Sequence, residues 1–339
     1  MSIATRGVHT RLYEFAPGLR LRVTGDRAVA RYFDGEYGSA RAEGAEASVD
    51  VVFGAAVEDE RARVRGAYRT VGWTISLGDG GADMLRAGIA LHGRPRTFAL
   101  SLVQGYVVEQ LVATAAARTG LVLLPAAGLL DAGGVLLVLG RSRSGKSSLT
   151  ARALARGMRM LGDDQVLVDS AGRCLPFPRR LRAYADLART APAAYRLLAP
   201  SARAALAARR AVHAVTRGRV APPLHISPSA LGQGSPPPAT AIARVALVER
   251  LAAAGRLEVD DVDLGEVVAF ARALLEQQRV HLRPSEPSWR EAATRTTRIQ
   301  EEVLRAALHD VAAVRISLPD AWPAERAVAA LARAVGADD

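Results

Sequence analysis

Lysine is almost missing from this chain. Of 45 lysine and arginine residues, only Lys146 is lysine and the other 44 are arginine. Arginine thus serves wherever a general positive charge is wanted, and a solitary lysine marks a position where a wide planar guanidinium will not do. Cysteine is as scarce: Cys174 stands alone, which excludes an internal disulfide and fits a reducing compartment. Aromatic residues make up 5% of the chain, and few accompany the arginines, so a base-stacking nucleic-acid surface is not expected. The N-terminal residues lack the apolar core of a signal peptide. Residues 120–140 are the one membrane-like stretch, and Asp131-Ala-Gly-Gly134 divides it into two short runs that read as buried strands joined by a turn. These absences predict a cytoplasmic protein that uses neither membrane nor nucleic acid.

At 339 residues the chain has room for one large or two modest domains. The net charge of +11 is unevenly spread: residues 179–219 hold ten arginines and one acid, Asp186. Two readings stand for that segment, a patch for an anionic partner or a solvated Ala/Arg helical hairpin, and the bland one is preferred because arginine is enriched throughout. Residues 1–103 alternate short β-type runs with turns and read as an α+β domain without evident chemistry. Its strands are expected at 19–23, 28–32, 48–53 and 97–102. His9 and His92 are isolated and read as surface or packing residues. A helix is expected over 104–118, closed by Gly120, and an α/β core from 121 onward, so that 104–339 forms the second domain. Within it, residues 221–240 carry six prolines and predict a mobile loop, after which 243–249 resumes the sheet. From 264 onward the pattern is mostly helical, broken by a strand at 313–318.

The chemistry sits around the lysine. Gly140-Arg141-Ser142-Arg143-Ser144-Gly145-Lys146-Ser147 matches G-x-x-x-x-G-K-[ST], the phosphate-binding loop. The apolar run Val135–Leu139 leads in and the helix-forming run 147–155 leads out, which is the strand–loop–helix context the motif needs. Backbone amides of residues 141–148, from Arg141 through Ser147 and Ser148, and the helix dipole would hold nucleotide phosphates. Lys146 would bridge two phosphates as a compact charge, and Ser147 would offer its hydroxyl to Mg²⁺. ATP and Mg²⁺ are thus the expected cofactors. Asp163 and Asp164 follow a short strand, 17 and 18 residues beyond Lys146, far enough for one helix out and one strand back. They are the candidates for the metal carboxylate and the general base, in either order.

This arrangement resembles the bacterial HPr serine kinase/phosphorylase family. The order of apolar strand, phosphate loop, helix, Arg156-Gly157, short strand and Asp163-Asp164 is the family's, without a gap, and Leu121–Leu139 is similar to the family's leading hairpin. The resemblance covers about 120–170 well and extends loosely to 250. It implies a nucleotide-binding core of the HPr kinase and phosphoenolpyruvate carboxykinase type, with the aspartates serving metal and base. Departures accompany it. Pro125-Ala126 stands where the family has a histidine, and Ser148 where it has a glutamate. Leu175-Pro-Phe-Pro-Arg-Arg180 replaces its Glu-x-Arg-Gly segment, and the loop linked to phosphorolysis is missing. HPr itself is therefore not the expected acceptor, nor is the reverse reaction expected.

The expected activity is ATP-dependent phosphoryl transfer to a hydroxyl of a peptide, protein or small molecule. Two alternatives stay open: a nucleotide hydrolase that drives a conformational step, and a non-catalytic nucleotide-binding partner protein. An oligomer is compatible with the sequence. The basic segment and the loop after it are expected near the mouth of the phosphate site, with one or more of Arg179, Arg180 and Arg182 turned towards phosphate or an acidic acceptor, because water must be excluded there.

Overall fold

Alternating apolar positions build the first sheet. The computed structural model describes residues 7–54, 62–79, 84–217, 219, 221–280, 282 and 287–337. β1 (His9–Ala16) and β2 (Leu19–Gly25) form an antiparallel pair turned at Pro17-Gly18, with Gly18 at φ +77°. That left-handed conformation suits only glycine without strain. Asp26 then accepts hydrogen bonds from the amides of Ala28 and Val29 and so caps α1 (Arg27–Tyr37). The strand expected at 28–32 is therefore helix. Val29, Ala30, Tyr32, Phe33 and Tyr37 are its buried apolar residues, a helical spacing that a five-residue window could not separate from alternation. β3 (Arg41–Ala42), β4 (Val49–Phe53), β5 (Ala62–Tyr68), β6 (Val71–Asp79) and β7 (Leu85–Gly93) complete a mixed sheet in the order β3-β1-β2-β4-β7-β6-β5.

The run expected as a strand at 97–102 is also helix. α2 (Arg96–Val103) continues through one π turn at Gln104–Val108 into α3 (Glu109–Arg118), and Gly120 follows at φ +73°. This run is long and apolar enough to cross a bilayer, but 67% of its most apolar window is buried inside the fold. It also carries the buried polar residues Gln104 and Glu109. Tyr32 donates to Gln104, whose amide donates to the Tyr37 hydroxyl at 2.9 Å, and Tyr37 donates to Glu109 at 3.0 Å. These bonds tie α1 to the π turn.

β8 (Leu121–Leu124) ends at Pro125, and the hairpin of β9 (Ala126–Asp131) and β10 (Gly134–Gly140) follows. The remaining elements, in chain order, are α4 (Lys146–Ala155), β11 (Arg159–Gly162), β12 (Val166–Asp169), β13 (Arg173–Leu175), β14 (Leu181–Ala183), α5 (Leu187–Thr190), α6 (Pro192–Leu197), α7 (Pro200–Val215), β15 (Leu224–Ile226), β16 (Thr240–Leu251), β17 (Glu258–Asp261), α8 (Leu264–Arg279), α9 (Pro287–Ala307), β18 (Ala312–Pro319) and α10 (Ala324–Ala334). The central sheet runs β11-β9-β10-β16-β18-β17; β10, β16 and β18 are parallel, and β13 pairs with the start of β16. Leu149 and Ala153 of α4 share one apolar cluster with Ala327 and Leu331 of α10 and with Leu136 and Val138 of β10. Both helices therefore cover the same region of the sheet. The fold is mixed α/β.

Two compact units divide the chain, and the division differs from the expected one at 103/104. The first comprises 1–123 together with 275–304; the second comprises 124–274 and 305–339. The helix expected to open the second domain belongs to the first. The basic segment is likewise no hairpin. It consists of β14 and three helices whose Leu181, Leu187, Ala194, Leu198 and Leu206 are buried with Ala151 and Leu154 of α4. Arg189, Arg196, Arg210, Arg217 and Arg219 are exposed, whereas Arg179 is buried and Arg180 and Arg182 are half-buried. The loop expected to be mobile is also anchored: β15 pairs with β14, Leu231 is buried, and the Gln233 amide bonds both main-chain groups of Met160 at 2.7 and 3.0 Å.

Candidate functional site

Gly140, the last residue of β10, has no room for a side chain. A Cβ there would lie 2.6 Å from Ser144 Oγ and 2.9 Å from the Val248 carbonyl. The loop then needs two left-handed residues, Arg143 at φ +70° and Gly145 at φ +103°. α4 starts directly after Gly145, and no side chain caps it, so its first amides stay open to a ligand. Arg141, Ser142 and Arg143 are exposed, Ser144 is buried, and Ser147 and Ser148 are half-buried at the start of α4.

Lys146 is 9% exposed, and its ammonium folds over the loop that bears it. It donates to the Gly140 carbonyl, to the Arg141 carbonyl at 3.1 Å and to Ser144 Oγ at 3.5 Å. Burial lowers its pKa, while the charges of Asp164 and Asp163 act in the opposite direction.

Both aspartates lie where β11 returns beside this loop. Gly162 lets them turn: a Cβ at that position would sit 1.9 Å from the Gln165 carbonyl. Asp163 is 1% exposed and faces the hydroxyls of Ser147 and Thr150. Its Oδ2 accepts weakly from the Arg182 amide at 3.5 Å, and its buried Oδ1 makes no close hydrogen bond among the described residues. Burial first, and then the neighbouring Asp164 carboxylate, push its pKa up to about 7 against the opposing pull of Ser147, Thr150 and Lys146. Asp164 is more exposed and meets two guanidiniums, Arg182 at 3.2 Å and Arg179 at 4.0 Å. The loop lysine, the loop serine and the aspartate pair are therefore neighbours, as their spacing predicts.

Of the three arginines expected near the site, Arg179 and Arg182 reach Asp164, and Arg180 is half-buried. Thr150 and Tyr184 were missed by sequence reasoning. Thr150 lies one helical turn after Lys146, donates to its carbonyl at 3.0 Å and stands against Asp163, so its i+4 position could have disclosed it. Tyr184 has its pKa pushed up to about 12 by burial and then by Asp164 and Asp163, with Arg179 and Arg143 opposing. Only the path of the chain after β14 brings it there, and no motif announces it.

Among the described residues, no group of three or more His, Cys, Asp or Glu side chains could hold a metal unaided. The donor set fits Mg²⁺ all the same: Mg²⁺ is commonly held by one or two carboxylates and a hydroxyl, the rest of its shell coming from phosphates and water. A buried carboxylate oxygen without a close partner, beside a serine hydroxyl, is such a donor set. Alanine at Gly162 should cost about 2–4 kcal/mol of stability, read as a lower urea midpoint, because a backbone carbonyl blocks the new methyl group. An unchanged midpoint would mean that the aspartate turn is looser than its geometry implies. No protein-family model matches the chain, and no curated protein does.

Proposed function

We propose that the protein is an ATP-dependent phosphotransferase acting on a hydroxyl acceptor, built on a phosphate-loop core of the HPr kinase and phosphoenolpyruvate carboxykinase type. One observation carries the reading: a buried ammonium, an uncapped helix start, a serine hydroxyl and a pair of unlike carboxylates meet at one loop. Lys146 would leave its own loop carbonyls for the β- and γ-phosphates, and the open amides of α4 would hold the β-phosphate. Bound Mg²⁺ would supply charge neutralisation at the phosphates. Asp163 and Ser147 are the residues suited to hold it, since Ser147 lies in the first turn of α4 and Asp163 faces its hydroxyl. Asp164 is the better base, because it is partly open to solvent and an acceptor can approach it. In the transfer, the acceptor oxygen bonds to the γ-phosphorus, the bond to the β–γ bridging oxygen breaks, and ADP leaves. The hydroxyl proton passes to Asp164.

The cytoplasm is the compartment that suits this chemistry. The test is ADP formation from Mg-ATP with and without a panel of serine-bearing peptides and small hydroxyl compounds. Turnover should require an acceptor and leave label from γ-labelled ATP on it. Acceptor-independent hydrolysis would favour a nucleotide-driven conformational machine, and tight binding without turnover a nucleotide-sensing partner.

A further inference from the structure

Arg182 is fixed more firmly than a surface arginine. It lies in β14, pairs across the ribbon with His225 of β15, and has Leu181 and Ala183 buried on either side of it against α4. Its amide approaches Asp163, its guanidinium holds Asp164 at 3.2 Å, and its buried Nε has no hydrogen-bond partner among the described residues. The charges around this point do not balance. Among the described residues, Asp163 and Asp164 share their surroundings with four cations, Lys146, Arg179, Arg182 and Arg143. Such an excess of cations suits a ligand carrying several negative charges.

We infer that Arg182 is a cis-acting arginine finger that exchanges Asp164 for the γ-phosphoryl group when nucleotide binds. The inference rests on the phosphotransferase reading above. Without nucleotide, the Asp164 carboxylate is engaged by the Arg182 guanidinium instead of an acceptor hydroxyl. With the guanidinium moved to the γ-phosphoryl oxygens, developing charge is neutralised by a planar fork of donors and Asp164 is released to take the acceptor's proton. A single side chain thereby couples nucleotide occupancy to activation of the base.

The test compares wild type with Arg182→Gln and Arg182→Lys, and with Arg210→Gln on the exposed side of α7 as a control for lost positive charge. Three quantities are measured: kcat and KM for Mg-ATP, affinity for ADP, and affinity for ADP with aluminium fluoride and Mg²⁺. Loss of an arginine finger lowers kcat by about 10³-fold or more. Both Arg182 variants should do so, with KM and ADP affinity changed less than about threefold, and should lose the added affinity that aluminium fluoride confers on ADP. The Arg210 control should behave as wild type. Arg182→Gln keeping kcat within about fivefold would overturn the inference, as would equal weakening of ADP and of its aluminium fluoride complex, which marks a merely structural role. Wild type that binds no ADP and turns over no ATP would instead sink the nucleotide reading itself, and this inference with it.

Discussion

Replacing Lys146 with alanine should lower ATP turnover by at least about two to three orders of magnitude and weaken Mg-ATP binding, because in the proposed reaction the ammonium would contact phosphate in both ground and transition states. Lys146→Arg should be nearly as damaging. The side chain is 9% exposed, and its Nζ lies within a ring of acceptors made by Gly140, Arg141 and Ser144. A guanidinium is wider and planar and cannot turn within that ring as an ammonium does. The chain's preference for arginine everywhere else makes this substitution the sharpest one available. Steady-state kinetics on both variants, with thermal unfolding to show that the fold survives, decides the matter. An arginine variant that kept most of its activity would remove the physical case for the solitary lysine.

The two aspartates should separate in kinetics and in pH dependence. Asp164→Asn would remove the proposed base and should lower kcat by about 10²–10⁴-fold with little change in Mg-ATP affinity. Asp163→Asn should instead raise the Mg²⁺ concentration needed for half-maximal activity. If both variants transferred phosphate at near wild-type rates, neither carboxylate would have the role given to it here.

Asp163 also predicts a slope in the stability of the metal-free protein. Its folded pKa is raised from 3.8 to about 7, chiefly by burial and secondly by Asp164, while Ser147, Thr150 and Lys146 oppose the rise. Between these two values the folded state holds the proton and the unfolded chain does not. Stability is therefore greatest in this respect at the acid end and falls as pH rises through about 4 to 7, levelling off above. The contribution is on the order of a few kcal/mol at most. Asp163→Asn should flatten that part of the curve in urea titrations run with chelator, and an unchanged slope would show that the group titrates elsewhere.

What was legible in the sequence was local. The strand from Val135, the turn at Gly145 and the helix from Lys146 follow from residues within a few positions of each other, and 17–18 residues sufficed to bring Asp163 and Asp164 back to the loop. Arg179 and Arg182 were expected near the site as cover against water, and the structure has them in ion pairs with Asp164. Short apolar runs were misread where a cap outside the window decided their state, as Asp26 does for α1. The proline-rich loop was misread because Gln233 finds its partners on Met160, far away in sequence. Tyr184 comes within reach of the aspartates' charges only by the path of the chain after β14, which no spacing rule encodes.

The return of residues 275–304 to the first unit bears on how the protein can be made. Neither unit is one continuous stretch, so no single cut releases either of them whole. As the chain leaves the ribosome, the first unit must wait for a segment that lies beyond residues 124–274, and the second for β18 and α10. Both units therefore stay unfinished until the last part of synthesis, and their apolar surfaces remain exposed together over that interval. A shortened chain starting near residue 124 would carry α9 without the sheet to which its unit belongs. It should aggregate, whereas the same fragment expressed together with residues 1–123 has every element of both units available.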